Sequence, residues 1–266
     1  MDKPIGIFDS GIGGLTVLKE VIKCLPNEDI VYFGDTARVP YGTKSPHTVI
    51  KFSIENILFL LRFKVKLIVI ACNTSSSYSL PVLRRDFKVP IIGVISPGAE
   101  EAAKATRCGR IGIIGTSATI QSGAYESKIK NINPRLKVFS QPCPLFVPLV
   151  EEGWLDDEVT YEIAGRYLKP LKDKKIDTLI LGCTHYPLLK GVIKEIAGKG
   201  IVLIDSAKQV ARYVKEVVCR ENLLSRSKKK AGYRFYVNDE PKKFAVSGER
   251  FLGRKIRFVK KVSEYV

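Results

Sequence analysis

Leu67-Ile-Val-Ile-Ala-Cys72-Asn-Thr-Ser75 and Thr178-Leu-Ile-Leu-Gly-Cys183-Thr-His-Tyr186 follow one pattern: an apolar strand-like run, a cysteine, then small polar residues. A second pair repeats in the same sense, Ile5-Gly-Ile-Phe-Asp-Ser10 with Ile111-Gly-Ile-Ile-Gly-Thr116. The two cysteines are 111 residues apart and the two opening strands 106 apart, as two copies of one α/β unit require. Such a duplication places one thiol at the same end of each of two sheets. Facing copies then hold a substrate between two thiols, which suits removal of a proton from one side of a carbon and its return from the other.

The rest of the chain supports this frame. Strand candidates recur at 5–9, 29–34, 67–71, 89–95, 110–114, 136–140, 178–182 and 200–205, with helical segments between them. Ser45-Pro46, Ser96-Pro97 and Tyr186-Pro187 place proline at or near the first helical position, where its missing N–H costs little. Alternating β and α elements predict an α/β fold: two pseudo-duplicate domains, each a mostly parallel sheet flanked by helices. Ligands of such sheets bind beyond the carboxyl ends of the strands, where Asp9, Cys72 and Cys183 fall, in the cleft between the domains. The boundary is expected near Ser96-Pro-Gly98. Residues 1–96 and 206–266 then form the first domain and 97–205 the second, with a helix over 206–219 and a loose loop from Ser225 to Lys230.

Composition narrows the class. Hydrophobic content of 45% and charged content of 27% over 266 residues are those of a globular protein. Met1-Asp-Lys-Pro4 runs directly into a strand without an apolar signal region. The richest apolar stretch, Ile57 to Ala71, is broken by Arg62, Lys64 and Lys66, so no membrane span and a cytoplasmic location are expected. The six cysteines form no CxxC pair and are expected as free thiols, with Cys24, Cys108, Cys143 and Cys219 as small buried hydrophobes. Only His47 and His185 are available as imidazole ligands, so no metal is expected. Of the net charge of +17, the segment Lys208–Val266 holds the larger share, 17 basic residues against 6 acidic. Arg226-Ser-Lys-Lys-Lys230 at its centre reads as a solvated basic surface rather than a nucleic-acid footprint, because Tyr233, Phe235 and Tyr236 alternate like a strand. A nucleic-acid partner is not expected.

Asp9-Ser-Gly-Ile-Gly-Gly14 joins a strand to an amphipathic helix beginning near Leu15. It lacks the third glycine of a dinucleotide fingerprint, and Asp9 would repel a pyrophosphate. Asn73-Thr-Ser75 and Thr184-His185 stand at strand-to-helix turns, where capping and substrate binding call for the same residue types. A helix N-terminus there is expected to lower a cysteine pKa from about 8.5 toward neutrality. Arg38-Val-Pro-Tyr-Gly-Thr43 forms a polar loop able to close over a ligand, and either Glu151 or Glu152 is placed to orient His185.

Together these segments resemble the glutamate racemases of the cofactor-independent aspartate/glutamate racemase superfamily. The matching stretches are Ile7-Phe-Asp-Ser-Gly-Ile-Gly-Gly-Leu-Thr16, Gly34-Asp-Thr-Ala-Arg-Val-Pro-Tyr-Gly42, Ala71-Cys-Asn-Thr-Ser75, Val147-Pro-Leu-Val-Glu-Glu-Gly153, Gly182-Cys-Thr-His-Tyr-Pro-Leu-Leu189 and Phe251-Leu-Gly253. They span nearly the whole chain, and Cys-Thr-His-Tyr-Pro with the opening Asp-Ser-Gly points to glutamate rather than aspartate, the nearest rival substrate. The resemblance implies Cys72 and Cys183 as the two acid/bases, Asp9 assisting near Cys72, and His185 with Glu151 near Cys183. It implies substrate contacts from Asp9, Ser10, Tyr41, Gly42, Asn73, Thr74, Thr184 and His185. It further implies interconversion of L- and D-glutamate without a cofactor, and supply of D-glutamate for peptidoglycan. A homodimer is expected.

Overall fold

A computed structural model describes residues 3–227 and 230–262. Lys228 and Lys229, in the expected loop and at the centre of the basic run, lie outside the described residues. The first half runs β1 (Ile5–Asp9), α1 (Leu15–Cys24), β2 (Ile30–Gly34), α2 (Pro46–Leu61), β3 (Leu67–Ile70), α3 (Asn73–Asp86) and β4 (Ile91–Gly93). After α4 (Ile95–Ala105) come β5 (Arg110–Gly115), α5 (Ser117–Gln121), α6 (Ala124–Ile132) and β6 (Lys137–Pro142). Then follow α7 (Phe146–Glu152), α8 (Glu158–Asp173), β7 (Thr178–Gly182), α9 (Lys190–Ala197) and β8 (Val202–Asp205). The chain ends with α10 (Ser206–Arg220), β9 (Tyr233–Val237), α11 (Pro241–Leu252) and β10 (Val259–Lys261). Short 3-10 turns occupy Thr36–Arg38, Tyr41–Thr43 and Tyr186–Leu189.

The strands form two parallel sheets, ordered β10-β9-β2-β1-β3-β4 and β6-β5-β7-β8. Without β9 and β10, the two orders are the same. The repeat extends to register: Ile5 stands opposite Leu67 on the central pair of one sheet, and Ile111 opposite Thr178 on the other. It extends to packing as well. A Cβ on Gly6 would lie 3.1 Å from Val65, and one on its counterpart Gly112 would lie 2.5 Å from Ile176.

β1, β2, β3 and β7 are buried along their whole length, as parallel strands covered on both faces must be. α10 packs on both sheets, with α1 and α4 packed against it, and one apolar core runs continuously through them. At the amino end of the first sheet Lys66 pairs with buried Glu28 and also donates to the Leu223 carbonyl, which ties the chain after α10 to the sheet.

Several expectations change in detail. Ser45 caps α2 by accepting from Thr48 N at 3.3 Å, with Pro46 in the first position as predicted. The strand expected over 89–95 shortens to Ile91–Gly93, because α4 already begins at Ile95, leaving Pro97 third in that helix. β9, where Tyr233, Phe235 and Tyr236 alternate like a strand as read, adds to the edge of β2, and β10, absent from the expected strands, adds to β9. Cys108 and Cys219 are exposed rather than buried, Cys24 is half-buried, and Cys143 is fully buried. Among the described residues no helix is long and apolar enough to cross a membrane.

Candidate active site

The carboxyl ends of β1, β3 and β7 deliver Asp9, Cys72 and Cys183 to one region, as the parallel topology requires. A cavity there encloses about 450 Å³ of non-protein space, part of it open to solvent. Ser10, Tyr41, Gly42, Cys72, Asn73 and Thr74 line it from the first half of the chain. Glu151, Cys183, Thr184 and His185 line it from the second. Asp9 alone of the predicted residues does not line it; it is fully buried behind the wall.

On the second-half side, Cys183 Sγ lies 3.8 Å from His185 Nδ1, and His185 Nε2 lies 3.0 Å from Glu151 Oε1. Glu151 rather than Glu152 therefore meets the imidazole. Burial opposes a charge on His185, but the bonds to Cys183 and Glu151 outweigh it and raise its pKa to about 10. The bond to His185 also holds the Glu151 carboxyl below its ordinary range, against partial desolvation and with help from Lys243. α11 completes this side from the far end of the chain. Arg250 Nη1 donates to the Val150 carbonyl at 3.0 Å, near the end of α7, and the Phe251 ring meets His185 edge-on at 5.3 Å.

The first-half side differs. Cys72 caps α3, its Sγ accepting from Ser75 N at 3.4 Å. The sequence predicted a lowered pKa from this position, yet burial and the neighbouring Asp9 push Cys72 up to about 12 despite the Ser75 and Ser10 hydrogen bonds. Desolvation also raises Asp9, against the charge of His185 and bonds from backbone N–H groups. Asp9 Oδ2 accepts from Gly11 N at 3.0 Å, whereas Oδ1 has no partner among the described residues. Asn73 presents a second unmatched group: Oδ1 accepts from Tyr125 at 2.8 Å, while the buried Nδ2 is unpaired among the described residues. An unpaired buried donor is costly unless a ligand uses it.

The glycine-rich turn after β1 serves close packing rather than phosphate binding. A Cβ on Gly13 would lie 2.3 Å from Thr184 Oγ1 and 2.5 Å from His185 Nδ1, and Thr16 Oγ1 donates to the Thr184 carbonyl at 2.9 Å. The start of α1 is thus seated on the Cys183 turn. Tyr41 lines the cavity, and its hydroxyl is taken up elsewhere, donating to Asp35 and accepting from Asn56 at 3.1 Å. Arg38 is tied to Asp35 and Glu55, so its loop is braced at both ends.

Sequence reasoning missed Thr116 and Thr119. Thr74 Oγ1 lies 2.9 Å from Thr116 Oγ1 and 3.0 Å from Thr119 Oγ1, joining the halves across the site. The signal was present, since Thr116 occupies the place of Ser10 in the repeat.

Residues 5–214 match the family model of the Asp/Glu/hydantoin racemases. The glutamate racemase of Geobacter metallireducens is 53% identical, covering 98% of this chain and 97% of its own length. The crystal structure of glutamate racemase from Francisella tularensis in complex with D-glutamate superposes with a TM-score of 0.92, at 42% identity and 98% coverage of each chain. A glutamate racemase isoform from Bacillus anthracis gives a TM-score of 0.96, at 40% identity, covering 99% of this chain and 98% of that one. Two sheets of one topology, a sulfur from each half at a shared cavity and full-length likeness agree, and the chain belongs to the glutamate racemases of the Asp/Glu/hydantoin racemase family.

Proposed function

We propose that the chain interconverts L- and D-glutamate by proton transfer between two thiols, Cys72 and Cys183, and supplies D-glutamate for peptidoglycan in the cytoplasm. The observation that supports it is the pair of sulfurs, each brought by an equivalent strand to one cavity from opposite halves of the chain. Residues 1–96 with 206–266 act as one domain and 97–205 as the other, and the substrate sits between them.

From L-glutamate, the Cys183 sulfur takes the Cα proton, and the electron pair left on Cα delocalises into the α-carboxylate. Cys72, held as a thiol, delivers its proton to the opposite face, and D-glutamate leaves with both thiols in exchanged protonation states. From D-glutamate the roles reverse. His185, charged and held by Glu151, sets a positive charge and a proton beside the Cys183 sulfur. The substrate ammonium brings a positive charge to the Cys72 side, which favours the thiolate there when D-glutamate binds. Asn73 Nδ2, the hydroxyls of Thr74 and Thr116 and the turn at Thr184 offer hydrogen-bond donors to the carboxylates, and such donors gain strength as charge develops.

The test is isotopic. In D2O, sampled early from L-glutamate, deuterium enters the D product while remaining L-glutamate stays largely unlabelled, and Cys72→Ala and Cys183→Ala each stop racemisation in both directions. Comparable early labelling of both enantiomers, together with one fully active Cys→Ala variant, would falsify the two-thiol reading.

A further inference from the structure

Of the cations concentrated in the C-terminal segment, Lys243 and Arg250 serve the catalytic side, and the fold gathers another part of that charge into a groove. β9 pairs with β2 along its full length, from Tyr233 opposite Ile30 to Val237 opposite Gly34. β10 pairs with the other edge of β9 only from Phe235 onward. The outer edge at Tyr233 and Arg234 is left open, and a concavity of about 1020 Å³, including open solvent, forms beside it. Tyr233 lies opposite the first residue of β2, so this opening is at the amino end of the sheet, away from the catalytic end. The groove shares no lining residue with the catalytic cavity.

Its walls carry Lys230, Arg234, Arg254, Lys255, Arg257 and Lys260, and no Asp or Glu lines it among the described residues. Nor, among the described residues, does any of these six cations make an ion pair. Like charges crowded in this way repel one another, and a bound polyanion relieves that repulsion. The Arg254 guanidinium lies 4.4 Å from the centre of the Tyr233 ring, which holds its planar fork in place for a phosphate. The Phe258 side chain lines the same groove and remains 73% exposed. An exposed ring among unpaired cations is a stacking surface for a base, and it reaches a base only where the base is free of a duplex. A bilayer surface offers neither a chain to follow a concave groove nor a flat ring to stack.

We propose that this groove binds single-stranded nucleic acid, its phosphates held by the six cations and a base stacked on Phe258. The test is fluorescence anisotropy of a labelled twenty-nucleotide deoxythymidine strand with the full chain. If all six cations meet phosphates, log affinity should fall against log salt with a slope of about −4, roughly 10²-fold between 50 and 200 mM. Combined Arg254→Ser, Lys255→Ser and Arg257→Ser should halve that slope and leave racemisation of L-glutamate unchanged, which also reports that the variant is folded. Phe258→Ala should weaken the strand about tenfold without altering the slope. No binding at 50 mM salt, or binding indifferent to the triple substitution, overturns the proposal. A heparin fragment bound as well as the strand, with Phe258→Ala neutral, overturns it in favour of a base-blind anion surface. Capture by phosphatidylserine vesicles without capture of the strand overturns it in favour of a lipid surface.

Discussion

Replacing Gly13 by alanine tests whether the catalytic geometry depends on how closely α1 approaches the Cys183 turn. The added Cβ would stand 2.3 Å from Thr184 Oγ1 and 2.5 Å from both Cε1 and Nδ1 of His185. Non-bonded carbon contacts settle at about 3.5–4.0 Å, so the start of α1 and the imidazole must separate by about 1 Å. His185 Nδ1 is the atom that faces Cys183 Sγ, and its other nitrogen is held by Glu151, so the ring cannot retreat without loosening both contacts. Overpacking costs about 1–3 kcal/mol of stability, which leaves a protein of this size folded, whereas a 1 Å misplacement costs about 10²-fold in rate. A Cβ on Gly165, in α8, would have nothing within 4 Å among the described residues. Gly165→Ala should therefore keep full activity and gain about 0.5–1 kcal/mol of stability from helix propensity. Polarimetry on L-glutamate, with far-ultraviolet circular dichroism to confirm the fold, should show kcat reduced about 10²-fold for Gly13→Ala only. A Gly13→Ala enzyme within threefold of the parent refutes the reasoning.

Glu151→Gln removes the anion that holds His185 but keeps its shape. A charge-assisted bond contributes about 1.5–3 kcal/mol, and the half-exposed position of Glu151 sets the effect at the lower end, so kcat should fall about tenfold. Glu152→Gln should leave initial rates unchanged, and equal losses in the two variants would remove Glu151 from the support of His185. The raised pKa of His185 also links folding to pH. Its folded pKa of about 10 lies above the ordinary 6.5, so its charged form contributes stability that is fully present below about pH 6.5 and is lost as pH rises through about 10. The Tm difference between parent and His185→Asn should shrink from pH 6 to pH 10.5, and a constant or growing difference contradicts the assignment.

What the sequence disclosed was local chemistry. The strands ending at Cys72 and Cys183 were legible because buried parallel strands are continuous apolar runs, and these two repeat. The alternation of Tyr233, Phe235 and Tyr236 read like a strand, but the place of β9 in the sheet was not legible, because its pairing with β2 joins Ile30 to Tyr233, about two hundred residues on. β10, Val259–Lys261, contains one apolar residue and carries no periodicity. The reactive side chains were found by type. The groups that position them were not: Arg250 reaches Val150 across one hundred residues, and the Tyr41 hydroxyl is claimed by Asp35 and Asn56. The direction of the Cys72 pKa was misread for the same reason. Its helix position is local, but the burial and the Asp9 charge that outweigh it are tertiary.

The two sheets repeat, but the surroundings of the two sulfurs do not. Cys72 has a buried carboxyl behind it and stays protonated, while Cys183 has an imidazole whose charge is fixed by Glu151. One thiol therefore arrives as the proton donor, and the other has a positive charge at hand. Thermodynamics limits how far this asymmetry can show. Enantiomers are equal in free energy in water, so the equilibrium constant is one, and kcat/KM must be the same from L- as from D-glutamate. Since kcat/KM compares the transition state with free enzyme and free substrate, both directions climb to one barrier from one level. Only the bound states are free to differ. If the resting protonation suits L-glutamate, any gain in its binding deepens that complex and raises its barrier equally, lowering KM and kcat together. A substitution at His185 or Asp9 can thus redistribute kcat and KM between the two directions, and it must leave their two ratios equal.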